Sequence, residues 1–132
     1  MYGEIPLWQT GSMLLAFSVA PSGQPAHLSA ESASDSGAVS AAASADASVH
    51  DAVAAAVKIV RDSGLPNHTD SMFTTIEGEW DEVFAVVKEA TEAVGRFGSR
   101  VSLVIKADIR PGYSGELTAK VERLESAIAD AG

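Results

Sequence analysis

The sequence predicts an α+β fold, a ferredoxin-like sandwich ordered β-α-β-β-α-β, with a four-stranded antiparallel sheet covered on one face by two helices and followed by a C-terminal helix. Three observations lead there. Met13 to Ala20 is an unbroken apolar run of strand length, closed by Pro21. Phe73 to Val83, FTTIEGEWDEV, is a β-branched strand that ends at Glu77, turns at Gly78 and passes at once into a helix with an acidic first turn. Val101 to Arg110 alternates Val101, Leu103, Ile105, Ala107 and Ile109 with Ser102, Val104, Lys106, Asp108 and Arg110, the period of a strand with one apolar and one more polar side.

The remaining elements fall between these three. Residues 1–12, MYGEIPLWQTGS, have no sustained period and precede a second methionine, so they are expected to be a leader or an appended tail. A single domain is then expected over residues 13–132. The first strand is apolar on both faces, which suits the middle of a sheet, and Ser18 is its one polar side chain. Residues 22–47 are Ser, Ala, Gly, Asp and Pro with almost no large apolar side chain, too little to offset the entropy of ordering, so a disordered insertion is expected. Its Ala-rich end, Ala41 to Ala47, is able to extend the helix that follows.

Ser48-Val49-His50-Asp51 resembles a capping box, with Ser48 as the cap. The helix then carries Val49, Val53, Ala56, Val57 and Val60 on one stripe, while Ala52, Ala54 and Ala55 permit close approach; Gly64 ends it and Pro66 blocks its return. Asn67 to Ser71 reads as a weak polar strand that reverses near Ser71-Met72. The second helix places Trp80, Val83, Phe84, Val87, Ala90, Val94 and Phe97 on one broad face and stops at Gly98. Pro111-Gly112 marks a turn. Glu116 to Ala129 is a last helix with a narrow stripe of Leu117, Val121, Leu124 and Ile128. That stripe, Val104 and the two-sided first strand call for a cover over the second sheet face, so a homo-oligomer is expected.

Composition excludes several function classes. Eighteen acids against nine bases give a net charge of −9, opposed to the clustered Lys and Arg of a nucleic-acid surface. The absence of cysteine removes disulfides, thiolate nucleophiles and cysteine metal sites. His27, His50 and His68 lack ligand spacing, so no metal site is expected. No run approaches the roughly 18 apolar residues of a membrane span, and Met13 to Ala20 lacks the basic flank of a secretory signal, so a cytoplasmic location is expected.

The corner at Thr74, Thr75 and Glu77 sets two hydroxyls and a carboxylate near a helix start. Glu79, Asp81 and Glu82 read as charges complementing the helix dipole. For Thr74, Thr75 and Glu77 the corner alone leaves both a structural and a ligand role open.

Thr74 to Val83, together with Phe17-Ser18-Val19-Ala20-Pro21, Val57 to Pro66 (VKIVRDSGLP), Val86-Val87-Lys88 and Val101 to Asp108 (VSLVIKAD), resembles the thiamine-binding protein family of small ferredoxin-like proteins. The resemblance covers Met13 to about Ile128 apart from the Ser/Ala insertion. It implies a protein that binds thiamine or its hydroxymethylpyrimidine half without catalysis or cofactor, and that assembles as a homodimer or homotetramer through its sheets. Mapped onto matching positions, it implies Ser18, Met72, Thr74 and Glu77 as ligand-binding residues, with Thr75 and Asn67 behind them.

The chemistry of such a ligand fits these residue types. Hydroxyls serve an aminopyrimidine edge, a carboxylate accepts from its amine or stabilises a cationic thiazolium, and a methionine offers a polarizable surface to a flat ring. The chain departs from the family in the insertion after Pro21 and in His68-Thr69-Asp70. Two other functions compete. A small isomerase or oxygenase on this fold would need a general base, for which His68, with Asp70 two residues away, is the candidate. A structural or regulatory module would use the terminal helix and the insertion as contact surfaces.

Overall fold

The computed structural model describes residues 11–24 and 38–131, with side chains described for 11–24 and 49–131. Strand β1 (Met13–Ser22) is followed by helix α1 (Ala38–Asp62), strands β2 (Asn67–Thr69) and β3 (Thr74–Gly78), helix α2 (Trp80–Val94) with a 3-10 turn at Gly95–Phe97, strand β4 (Arg100–Ile109) and helix α3 (Glu116–Ala131). The sheet is antiparallel throughout, in the order β2-β3-β1-β4. This is the α+β sandwich expected from the order of apolar periods. Most of the expected leader and half of the expected insertion, residues 25–37, lie outside the described residues, while residues 38–47 of that insertion form the start of helix α1. Of the twelve leader positions, Gly11 and Ser12 are described, and the Ser12 N–H donates to the Tyr113 carbonyl at 3.0 Å.

The pleat of β1 divides the two faces. Met13, Leu15, Phe17 and Val19 are buried, and the residues between them are half-buried. Phe17 stands opposite Thr74 and Leu15 opposite Ile76, so the buried side chains of β1 and β3 share the face that the helices cover. Ala52, Ala56 and Val60 of α1 and Val83, Val87, Ala90 and Val94 of α2 close that core. Leu14, Ala16 and Ser18 point to the other face, together with Thr75 and Glu77.

Several boundaries differ from the sequence reading. Helix α1 begins at Ala38, so Ser48 lies inside it and is no N-cap. The alanines from 41 to 47 carry the highest intrinsic helix propensity, and that extends the helix upstream of the capping signal. Its buried stripe is also rotated. Ala52, Ala56 and Val60 face the sheet, while Val49 and Val53 are exposed, because small side chains let the helix axis approach closely. Gly64 does end the helix, with a φ of +78° that other residues adopt only under strain. Strand β2 stops at Thr69, so Asp70 is in the turn and not on the strand face with His68.

Helix α2 opens with a capping box, in which the Glu79 N–H donates to Glu82 Oε1 at 3.3 Å, and Asp81 and Glu82 occupy its first turn. The 3-10 turn carries the chain from Val94 to Gly98. An added Cβ at Gly98 would lie 2.5 Å from the Ser22 carbonyl, so only glycine permits that approach of the β4 entrance to the end of β1.

Strand β4 is less covered than its alternation suggests. Leu103 and Ile105 remain about two-fifths exposed on the helix side, and Val104 is 54% exposed on the other. β4 is an edge strand, and α2 lies over the inner strands, which leaves an open apolar groove between Phe84, Val87, Leu103 and Ile105. The Pro111-Gly112 turn forms as expected: the Tyr113 N–H donates to the Arg110 carbonyl at 3.2 Å, and the Arg110 guanidinium stacks 3.7 Å from the Tyr113 ring centre.

Candidate functional site

A cavity of about 190 Å³ opens where β1 outruns β3. Pairing between those strands ends at Phe17 and Thr74, whereas β1 continues to Ser22 beside β4 alone. The β2–β3 turn and the side of α1 complete the walls. Phe17, Val53, Val57 and Phe73 supply apolar surface; Thr69, Thr74, Asp70 and Met72 supply polar or polarizable groups.

The polar groups are held in place. Thr69 and Thr74 face one another across the β2–β3 ladder with their hydroxyl oxygens 3.0 Å apart, and Thr74 is buried. A paired hydroxyl still has a second lone pair or proton to offer a ligand. Asp70 closes the turn: its Oδ1 accepts from the Met72 N–H at 2.8 Å and the Phe73 N–H at 2.9 Å, and its own N–H donates to the Phe73 carbonyl. Those two backbone donors hold its carboxyl below the ordinary range. The turn leaves Met72 at the rim, 72% exposed.

Met72 and Thr74 line this cavity, and Ser18 borders it from β1; the pleat that buries Phe17 and Val19 toward α1 turns the Ser18 side chain to the other sheet face, so the expected Ser18 hydroxyl is not part of the polar lining. Thr75, Glu77 and Asn67 are elsewhere. Thr75 points to the opposite sheet face beside Ala16 and His68. The Asn67 side-chain amide donates to the Leu65 carbonyl at 2.8 Å, pinning the chain after α1. Asp70 and Thr69 were not singled out from sequence as ligand-binding positions. The available signal was Asp at the first position of a four-residue reversal, which marks an Asx turn and places the preceding residue at the strand end.

Glu77 has a different set of partners. It stands opposite Leu14 on the face away from α1 and α2, yet it is only 6% exposed, because the start of α3 covers it. Its Oε2 accepts from the Gly115 N–H at 2.9 Å and its Oε1 from the Leu117 N–H at 2.8 Å. Both donors belong to the unsatisfied amides of a helix start, where a carboxylate is also favoured by the helix dipole. Next to it, Glu116 binds Arg123 through both carboxylate oxygens, and Lys120 pairs with Asp108. These cations hold the Glu116 and Asp108 carboxyls below their ordinary range.

Among the described residues no group of three His, Asp or Glu is placed to hold a metal ion, and no helix is long and apolar enough to cross a membrane. His68 is exposed and does not line the cavity.

Known proteins match this chain over most of its length. A UPF0045 protein of Mycobacterium bovis is 44% identical over 115 residues, covering 86% of this chain and 92% of the relative. A UPF0045 protein of Synechocystis is 36% identical over 75 residues, covering 56% of this chain and 62% of that relative. Among solved structures, a domain of unknown function from Bacillus cereus superposes with a TM-score of 0.57 at 28% identity, covering 80% of this chain and 82% of that one. A Thermotoga maritima protein described as a candidate for thiamine biosynthesis or salvage superposes with a TM-score of 0.58 at 20% identity, a likeness of fold, covering 84% of this chain and 98% of that one. The profile of the thiamine-binding protein family matches residues 38–125, from α1 through most of α3, and with that match the chain belongs to the thiamine-binding protein family.

Proposed function

We propose that this protein binds thiamine or its hydroxymethylpyrimidine moiety without catalysing a reaction, as a carrier, buffer or sensor in vitamin B1 metabolism. The observation that carries the reading is the cavity beside the paired Thr69 and Thr74 hydroxyls, in a chain of this family. At about 190 Å³ it is smaller than the roughly 300 Å³ and above typical of drug-sized ligands, which suits one substituted ring with the rest of the molecule at the mouth. Thr74, paired with Thr69, serves the aminopyrimidine edge, and Met72 covers a flat ring from the rim.

The non-catalytic reading is supported by the cavity's chemistry. Acid–base catalysis calls for a positioned acid and base, and Asp70 is the one ionisable residue among the described residues that line it. In this reading the protein works without a cofactor and in the cytoplasm. It also works as a homodimer or homotetramer. Support comes from Val104 on the open sheet face and from Val121, Leu124 and Ile128, each more than half exposed along α3.

Calorimetric titration with thiamine and with hydroxymethylpyrimidine tests the proposal. Wild-type protein is expected to bind at least one of them, and Thr74→Val, which keeps the shape and removes the hydroxyl, is expected to weaken binding about tenfold. Absence of heat and of any thermal shift at millimolar ligand would overturn the reading. Native mass spectrometry of freshly purified protein is expected to show dimers or tetramers, and a monomer at micromolar concentration would remove the oligomer from it.

A further inference from the structure

We propose that Asp70 sets the charge selectivity of the cavity, favouring a ligand whose ring at the mouth is cationic over a neutral ring of the same shape. The inference rests on the binding function proposed above and adds the residue that discriminates.

The position of Asp70 is what carries it. Five side chains of opposite character meet at this end of the molecule, with Val53, Val57 and Phe73 forming apolar walls and the Thr69 and Thr74 hydroxyls a neutral polar patch. Asp70 alone among the described cavity residues brings a charge. The chemistry of the ligand gave the anionic role to Glu77, but both Glu77 oxygens are already bound to the start of α3, on the other sheet face. A cation in the cavity must therefore be met by a different carboxylate.

Asp70 is suited to that role in three ways. Both turn hydrogen bonds fall on Oδ1, so Oδ2 has no protein donor among the described residues and is open to a ligand. The same bonds fix the side-chain rotamer, so little freedom is left to lose when a ligand binds. They also stabilise the carboxylate, which keeps the group charged across the physiological range. Thiamine carries a cation in its thiazolium ring, and hydroxymethylpyrimidine lacks it.

Asp70→Asn separates charge from architecture, because the amide keeps an oxygen to accept from Met72 and Phe73. Titrating thiamine and hydroxymethylpyrimidine into wild-type and Asp70→Asn protein is expected to show thiamine affinity falling about two- to fivefold, the scale of one exposed ion pair. Hydroxymethylpyrimidine affinity is expected to stay unchanged. Raising the salt concentration should narrow the difference for thiamine only. If the wild type binds thiamine and Asp70→Asn binds it equally well, the selectivity role is overturned while the binding function stands. Equal loss for both ligands would show a damaged turn and would also overturn it. If the wild type binds neither ligand, the binding function fails and this inference with it.

Discussion

Glu77→Ala is expected to cost about 2–4 kcal/mol of folding stability, because it removes a carboxylate that two backbone amides share and leaves both donors without their partner. For a domain of this size that corresponds to a melting midpoint lowered by roughly 5–15 °C. The damage should be local at first. α3 is tied to the sheet through its first two turns, by Glu77 and by the Lys120–Asp108 pair, and from Lys120 onward its residues are exposed. Hydrogen exchange at the Leu117 amide should rise before the amides of β1 lose protection.

Glu77→Gln keeps the volume and one acceptor oxygen, so about half the loss is expected. Because Glu77 lies on the sheet face away from the cavity, thiamine affinity in either variant should stay within about twofold of wild type, as for separated sites. A Glu77→Gln protein of wild-type stability that no longer binds thiamine would reverse this assignment and return Glu77 to the ligand.

Leu15→Ala and Ile76→Ala are each expected to cost about 2–5 kcal/mol, the range for emptying a closed core site. Both residues are fully buried, and they stand opposite one another in the β1–β3 ladder under both main helices. Against a total stability of about 5–15 kcal/mol, one such change puts a large share of the fold at risk. The double variant should lose less than the sum, by about 0.5–3 kcal/mol, since the two deletions open one shared space. Urea denaturation of the four proteins measures this. A loss below about 1 kcal/mol for either single change would mean that the site collapses freely and is not the centre of the core.

The apolar periods of the chain were enough for the architecture. Met13 to Ala20 is a continuous apolar run of strand length, Trp80 to Val94 has a helical period and Val101 to Ile109 a strand period, and their order leaves the β-α-β-β-α-β sandwich as the simple arrangement. Gly64 and Pro111-Gly112 were equally legible, since backbone geometry at those points is dictated by the residue itself. Where local signals competed, they misled. Ser48 looked like a cap because capping is read over four residues, whereas helix α1 integrates the propensity of a longer alanine run.

The site divides along the same line. Strand order made the adjacency of β1 to β3 at Thr74 legible, but the pleat turns the Ser18 side chain to the other face, and Met72 reaches the cavity rim only through the turn after β2. Glu77 could not be placed in that way. The corner from Thr74 to Glu77 is continuous in sequence, but the two-residue period of a strand sends Thr74 and Ile76 to the helix-covered face and Thr75 and Glu77 to the other. Only the arrival of Gly115 and Leu117, nearly forty residues further on, decided that Glu77 serves a helix start. Asp70 follows the same logic in reverse: its role depends on a turn closing beside α1, a contact between distant segments that no local pattern encodes. Periodicity determined which elements form and in what order, and tertiary contact decided which side chains meet, because a hydrogen bond between residues far apart in the chain leaves no trace in the residues next to either partner.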